Sequence, residues 1–228
     1  MMMYAVGLGP GDPDYITVKA IDILKRSDTI FVPGSSPDRS ISRNIIMDLA
    51  RMHNFSSGKE IVDLEFPMTR NHELNRRSWE KNVKMILESV ASGRIVSYAT
   101  LGNPTLYSTF GNILDDLRRH GVEIAFIAGV SSIDACSSIA GINLARGDES
   151  IAIITYSDFL KQNRIDFDTV IIMKVPGGST VLEEIKRRFP EFKSSTYLRR
   201  CTMPQQIIMD RAGGDEDDYF SMVILRRY

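Results

Sequence analysis

The segments of this chain best suited to chemistry are glycine-bearing turns rather than reactive side chains. Gly7-Leu8-Gly9-Pro10-Gly11-Asp12-Pro13 follows a short apolar run at 4–6. Glycines after a strand let backbone approach a ligand closely, or simply close a tight turn. The dinucleotide fingerprint G-x-G-x-x-G fails because Asp12 stands in the third glycine position, and no G-x-x-x-x-G-K-[ST] phosphate loop occurs. Asp12 and Asp14 would repel a pyrophosphate, whereas a ligand carrying positive charge is compatible with the turn.

Three further segments carry polar or glycine-rich turns. Leu101-Gly102-Asn103-Pro104-Thr105-Leu106-Tyr107-Ser108-Thr109 follows a strand-like run at 95–100. It reads either as an ordinary turn or as a ligand loop at a strand's carboxyl end, where open α/β sheets bind their ligands. Ala128-Gly129-Val130-Ser131-Ser132-Ile133 lacks the closing glycine of the G-x-S-x-G nucleophile elbow. Its serines can cap a helix or, with nearby backbone N–H groups, bind a carboxylate or amide. Arg199-Arg200-Cys201-Thr202-Met203-Pro204-Gln205 offers adjacent guanidinium groups, either solvated or facing an acidic ligand. No base neighbours Cys201 in sequence, so it is not read as a nucleophile, and Cys136 reads as a core residue.

These turns need elements to hold them. Strand runs at 4–6, 29–32, 61–64, 95–100 and 123–127 alternate with helical segments. The helices are expected to start near Thr17, then to cover 40–52, 71–92 and 106–120. Val18, Ile21 and Leu24 are predicted to share one face of the first helix. Trp79, Val83, Ile86, Leu87 and Val90 form a stripe on the longest helix, which Gly93 is placed to end. This alternation predicts a mostly parallel sheet covered on both faces. Beyond a helix at 134–140 the strands become denser (151–155, 169–173, 195–198, 206–209, 221–225), with a helix at 180–188 and a polar hairpin-like loop at 212–218. The second half therefore reads as a smaller α+β unit with a mixed sheet. Domains are expected at 1–127 and 128–228.

Composition narrows the function. Of 228 residues, 43% are hydrophobic and 25% charged, and 28 Lys+Arg against 29 Asp+Glu leave a net charge of -1. A chain so balanced carries no global electrostatic footprint for nucleic acid. No apolar stretch approaches the roughly 20 residues of a membrane span, and the N-terminus lacks the layout of a secretory signal. The two cysteines form at most one disulfide and have no zinc or redox spacing, and the three histidines are scattered. The default expectation is a reduced, cytoplasmic protein that binds no metal of its own.

Taken in order, the segments resemble the tetrapyrrole (corrin/porphyrin) methyltransferase family. The matching pieces are GLGPGDPDYITVKA at 7–20, SDTIFVP at 27–33, GNPTLYST at 102–109, GVSSIDA at 129–135, IIMKV at 171–175 and RRCTMPQQ at 199–206. LEFPMT at 64–69, the tryptophan-bearing helix and TLGNPTLYST look most like the branch that methylates C20 of (cobalt-)precorrin-2. The family's loop usually reads G-D-P, and here Asn103 replaces the aspartate, keeping size and an acceptor but losing charge.

The resemblance implies a two-domain α/β fold, S-adenosylmethionine as methyl donor with S-adenosylhomocysteine as product, a polycarboxylate tetrapyrrole substrate, and commonly a homodimer. It implies that the cofactor folds into the cleft between domains and is faced by Pro10, Asn103, Leu106, Ser131, Ser132, Ile133, Met173 and Cys201. A basic rim is expected for the substrate carboxylates, with Arg70, Arg76, Arg146 and Arg200 as candidates. No catalytic base is named. Sister activities on the same fold, or a non-catalytic nucleotide-binding module, are the alternatives.

Overall fold

The computed structural model describes residues 1–35, 40–55, 58–67, 69, 71–209 and 218–228. Within it the chain divides into two compact units, Met1–Ser132 and Ile133–Tyr228.

The first unit is an all-parallel five-stranded sheet of β1 (Met2–Gly7), β2 (Thr29–Gly34), β3 (Glu60–Glu65), β4 (Val96–Thr100) and β5 (Glu123–Ile127), in the order β3-β2-β4-β1-β5. Parallel strands require crossovers, and helices supply them. They are α1 (Val18–Arg26), α2 (Ile41–His53), α3 (His72–Ala91) and α4 (Gly111–Arg119). Period-two alternation sends Met3 and Ala5 of β1 to the face covered by α3 and α4, and Val6 and Leu8 to the face covered by α1 and α2. Both faces are dry, which is why these strands read as short unbroken apolar runs.

Local signals set the helix starts. The Thr17 hydroxyl accepts from the Ala20 N–H, Ser40 from Arg43, and Asn71 from Glu73 and Leu74. Val83, Ile86 and Val90 are buried along α3, with Trp79 and Leu87 packed beside them. Gly93 follows α3 with φ 79°. Two expectations need correction. On α1 the buried face is Ala20, Ile23 and Leu24, while Val18 is 76% exposed. The packed stripe of a nine-residue helix runs through i, i+3 and i+4, and Val18 falls outside it. The helix expected over 106–120 starts only at Gly111, because residues 103–110 are spent on successive turns.

The second unit is a mixed sheet in the order β6-β7-β10-β8-β9, from β6 (Ile151–Thr155), β7 (Thr169–Met173), β8 (Ser194–Arg199), β9 (Ile207–Met209) and β10 (Ser221–Arg226). β6 and β7 pair in parallel, and β10 runs antiparallel between β7 and β8. Helices α6 (Tyr156–Phe159) and α7 (Gly178–Arg188) cover one face through Phe159, Leu182, Ile185 and Phe189. The other face carries α5 (Ser132–Ile139). The four-residue α6 was not anticipated, being shorter than two turns of any apolar period. The loop expected at 212–218 lies outside the described residues except for Asp218.

The expectation of two reduced cysteines is also corrected. Cys136 on α5 and Cys201 after β8 are joined in a disulfide, with Cα atoms 5.3 Å apart. Both pack on the same sheet face with Ile133, Ile171, Leu198, Met222 and Ile224. A separation of 65 residues hides that proximity from the sequence. No helix among the described residues is long and apolar enough to cross a membrane.

Candidate functional site

In the first sheet β4, β1 and β5 are adjacent and parallel, so the turns that follow them emerge side by side at their carboxyl ends. These are the turns containing Gly9-Pro10, Gly102-Asn103 and Gly129. The order of strands, rather than nearness in sequence, gathers them.

Backbone contacts bind the three turns together. Leu8 N donates to the Thr100 carbonyl at 2.9 Å, and Gly102 N to the Gly9 carbonyl at 2.7 Å, closing a bridge between Gly9 and Gly102. These two residues have φ of 80° and 69°, in the left-handed region where glycine is favoured. Gly129 packs against Gly102 and Gly7. A Cβ there would lie 2.3 Å from the Gly102 carbonyl oxygen and 2.8 Å from the Gly7 Cα. The Thr17 hydroxyl donates to the Ala128 carbonyl at 3.5 Å, tying the start of α1 to the third turn.

Outward, the arrangement is open. Nothing lies within 4 Å of where a Cβ on Gly102 would project, so its backbone borders free space. Asn103 Oδ1 accepts from the Thr105 N–H at 3.2 Å and from the Thr105 hydroxyl at 3.1 Å. Leu106 N donates back to the Asn103 carbonyl at 3.2 Å. Leu106 and Tyr107 are left exposed, Tyr107 with φ 49°. On the first turn Asp12 caps the single 3-10 turn Pro13–Tyr15 by accepting from Asp14 N at 2.9 Å, and Pro10 is buried beside it.

The second turn is fastened from below. Ser108 Oγ bonds Thr100 Oγ1 at 3.3 Å and accepts from Phe110 N. The Tyr98 hydroxyl and Thr109 Oγ1 share a hydrogen bond of 2.7 Å. Tyr98 is fully buried among Phe66 and Phe110, and that burial drives its phenol pKa far above the ordinary value, with the Thr109 bond opposing. The ring therefore stays protonated and serves as a post. Sequence reading missed Tyr98, Thr109 and Thr105. The T-L-Y-S-T cluster after a strand was the available signal for the two threonines, since clustered hydroxyls commonly brace turns.

Of the expected site residues, Pro10, Asn103 and Leu106 lie on the first two of these turns in the first unit. Ser131 follows the third turn, Ser132 opens α5, and Ile133 is buried at the start of the second unit. Met173 ends β7, packed against the cluster that holds Ile133, and Cys201 is the buried disulfide partner of Cys136. Among the basic candidates, Arg76 is paired with Glu73 and Glu80 on the surface of α3, and Arg200 with Asp218. Arg146 is exposed and its backbone N–H donates to Glu149. Arg70 lies outside the described residues.

Residues 2–213 match a family model described as Tetrapyrrole (Corrin/Porphyrin) Methylases. The chain is 34% identical over 231 residues to a probable cobalt-precorrin-2 C(20)-methyltransferase of Methanocaldococcus jannaschii, covering 99% of this chain and 96% of that protein. It is 25% identical to the cobalt-precorrin-2 C(20)-methyltransferase of Salmonella typhimurium, with coverages of 99% and 96%. Among solved structures, a uroporphyrin-III C-methyltransferase of Thermus thermophilus complexed with S-adenosylhomocysteine superposes with a TM-score of 0.69 at 19% identity, covering 99% of this chain and 97% of that one.

Proposed function

This chain belongs to the tetrapyrrole (corrin/porphyrin) methylase family, and from that premise we propose that it transfers a methyl group from S-adenosylmethionine to C20 of precorrin-2 or its cobalt form in corrin-ring synthesis. The observation that carries the C20 assignment is the 34% identity, spread over 99% of the chain, to a relative bearing that activity in its name.

The residues present fit a sulfonium nucleoside. Three turns whose closest approaches are glycine backbone border open space at Gly102. Such a surface suits a ligand that approaches the main chain closely. In the first unit Pro10, Asn103, Leu106, Ser131 and Ser132 would hold it. Ile133, Met173 and Cys201 are proposed to contact it as well.

When bound, S-adenosylmethionine supplies an electrophilic methyl group to an already nucleophilic macrocycle carbon. The work left to the protein is alignment and exclusion of water. Held geometry of that kind supplies roughly 7–11 kcal/mol of a barrier. Asn103 fixes the second turn through Thr105, and Tyr98 with Thr109 anchors the same turn from beneath, so the backbone at 102–106 is set before ligand arrives. Leu106 and Tyr107 offer apolar surface that keeps water from a bound ligand. Tyr98, held neutral, is unsuited to accept the C20 proton. Substrate carboxylates would be met by Arg146 and by arginines whose charge is already balanced by a neighbouring acid, such as Arg200.

Incubation with S-adenosylmethionine and cobalt-precorrin-2 tests the reading. Mass spectrometry should count one added methyl group and carbon NMR should place it at C20. A methyl at another ring position would keep the family and overturn the assignment. Calorimetry should show binding of S-adenosylhomocysteine in preference to NAD and ATP. Homodimeric assembly belongs to the same reading, and light scattering of the purified chain should give twice the chain mass of 25.7 kDa.

A further inference from the structure

The second sheet has an unusual edge. β7 and β8 run parallel on either side of the antiparallel β10, so their carboxyl ends emerge together. Four non-glycine residues at that edge adopt left-handed backbone: Lys174 (φ 59°), Arg200 (φ 51°), Thr202 (φ 67°) and Gln205 (φ 64°). Each costs free energy that the surroundings must offset, and such residues gather where a ligand is received.

The turn over 200–205 is held in several ways. Arg200 N donates to the Phe220 carbonyl at 2.8 Å, Met203 N to the Arg200 carbonyl at 2.9 Å, and Thr202 N to Gln206 Oε1 at 2.8 Å. The Arg200 guanidinium pairs with Asp218. Those partners are all local or at the end of β10. One link is covalent and remote: Cys201, between two left-handed residues, is bonded to Cys136 in α5. Cys136 is 3% exposed and packed against Ile133, Leu198 and Met222, so it is a fixed point.

We propose that Cys136 is a positioning residue: through its disulfide it holds the 200–205 turn in its ligand-receiving form, so that affinity for S-adenosyl ligands follows the thiol–disulfide state of the chain. This rests on the methyl-transfer reading above. The switching step uses a dithiol reductant. One of its thiolates attacks a sulfur of the Cys136–Cys201 bond to form a mixed disulfide, and its second thiol displaces the chain's sulfur. The chain gains two electrons and two protons as Cys136 and Cys201 thiols, and the reductant closes to its own disulfide. An oxidised dithiol reverses the exchange. Cys201 is 4% exposed, while 204–206 beside it are exposed, so attack follows opening of that turn.

The experiment compares the oxidised chain, the same chain reduced with dithiothreitol, and Cys136→Ser. S-adenosylhomocysteine affinity is measured by calorimetry, with thermal unfolding and amide exchange at Thr202 and Met203 recorded alongside. Reduction and Cys136→Ser should each weaken binding at least about fivefold and raise exchange at the turn, and the variant should no longer respond to dithiothreitol. A lower melting temperature with equal affinity in all three forms marks a merely structural bond and overturns the inference. Absence of binding in every form, with exchange still raised on reduction, overturns the methyl-transfer reading while the disulfide's hold on the turn stands.

Discussion

Gly7 and Gly129 meet backbone to backbone: a Cβ on Gly7 would lie 2.6 Å from the Gly129 Cα, and one on Gly129 would lie 2.8 Å from the Gly7 Cα. Neither clash can be relieved by turning a side chain, since every atom met is main chain. This contact, with Gly102 against both, sets the spacing of the three turns above β4, β1 and β5.

Gly129→Ala should therefore displace the third turn. Overpacking of this kind costs about 1–3 kcal/mol, read from urea unfolding, and binding of S-adenosylhomocysteine should fall with it. Gly111→Ala is the matched control, because nothing lies within 4 Å of the added Cβ and the residue sits in α4. Wild-type stability and binding in Gly129→Ala would remove the close contact as a determinant of the site.

Asn103 works through its acceptor oxygen, which takes two bonds from Thr105. Asn103→Asp keeps that oxygen and should retain cofactor binding and turnover to within a small factor. Asn103→Ala loses both bonds and should weaken S-adenosylhomocysteine binding. Equally large losses in Asn103→Asp and Asn103→Ala would assign the position a role through its amide NH2 instead.

Tyr98 gives a pH prediction on the alkaline side. Burial raises its folded pKa above the unfolded value of about 10. A group raised in the fold contributes stability that is whole below the unfolded pKa and is lost as pH rises above it toward the folded pKa. Tyr98→Phe should lose about 0.5–1.5 kcal/mol at neutral pH with the Thr109 hydrogen bond. Its stability should also decline less than that of the wild type as pH climbs above about 10. Parallel stability curves for the two proteins would contradict the assignment.

In the second unit, Arg226 at the end of β10 is 7% exposed and paired with Glu149 at 2.7 Å. The same carboxylate accepts from Arg146 N at 2.9 Å. Glu149→Ala leaves the guanidinium buried without its counter-charge, a change on the order of 3 kcal/mol in urea unfolding. Glu149→Gln keeps an acceptor and should cost less. Equal costs would mean that packing around Glu149, and not its bonds, sets the loss.

Much of this organisation was legible along the chain. The helix starts near Thr17, Ser40 and Asn71, the stripe on α3 and the change from alternating to strand-dense segments each act over a few residues, so local physics reveals them. Legibility failed where distant contacts take over. Val18 has the right spacing on α1 but faces solvent, since three-residue spacing alone does not say which side meets the sheet. Leu106–Phe110 adjoins the helical run at 111–119 and reads as its first turn, yet Asn103, Ser108 and Thr109 commit their polar groups to turns.

By itself, then, the sequence determined the family, the alternation that makes a parallel sheet, and which turns carry glycine and polar groups. Only the tertiary structure decided that β4-β1-β5 adjacency puts three of those turns together, that Gly7 and Gly129 are required by contact rather than by conformation, and that Cys136 finds Cys201. The reason is common to all three. Strand order and packing join residues tens of positions apart, and no local propensity or period carries that information.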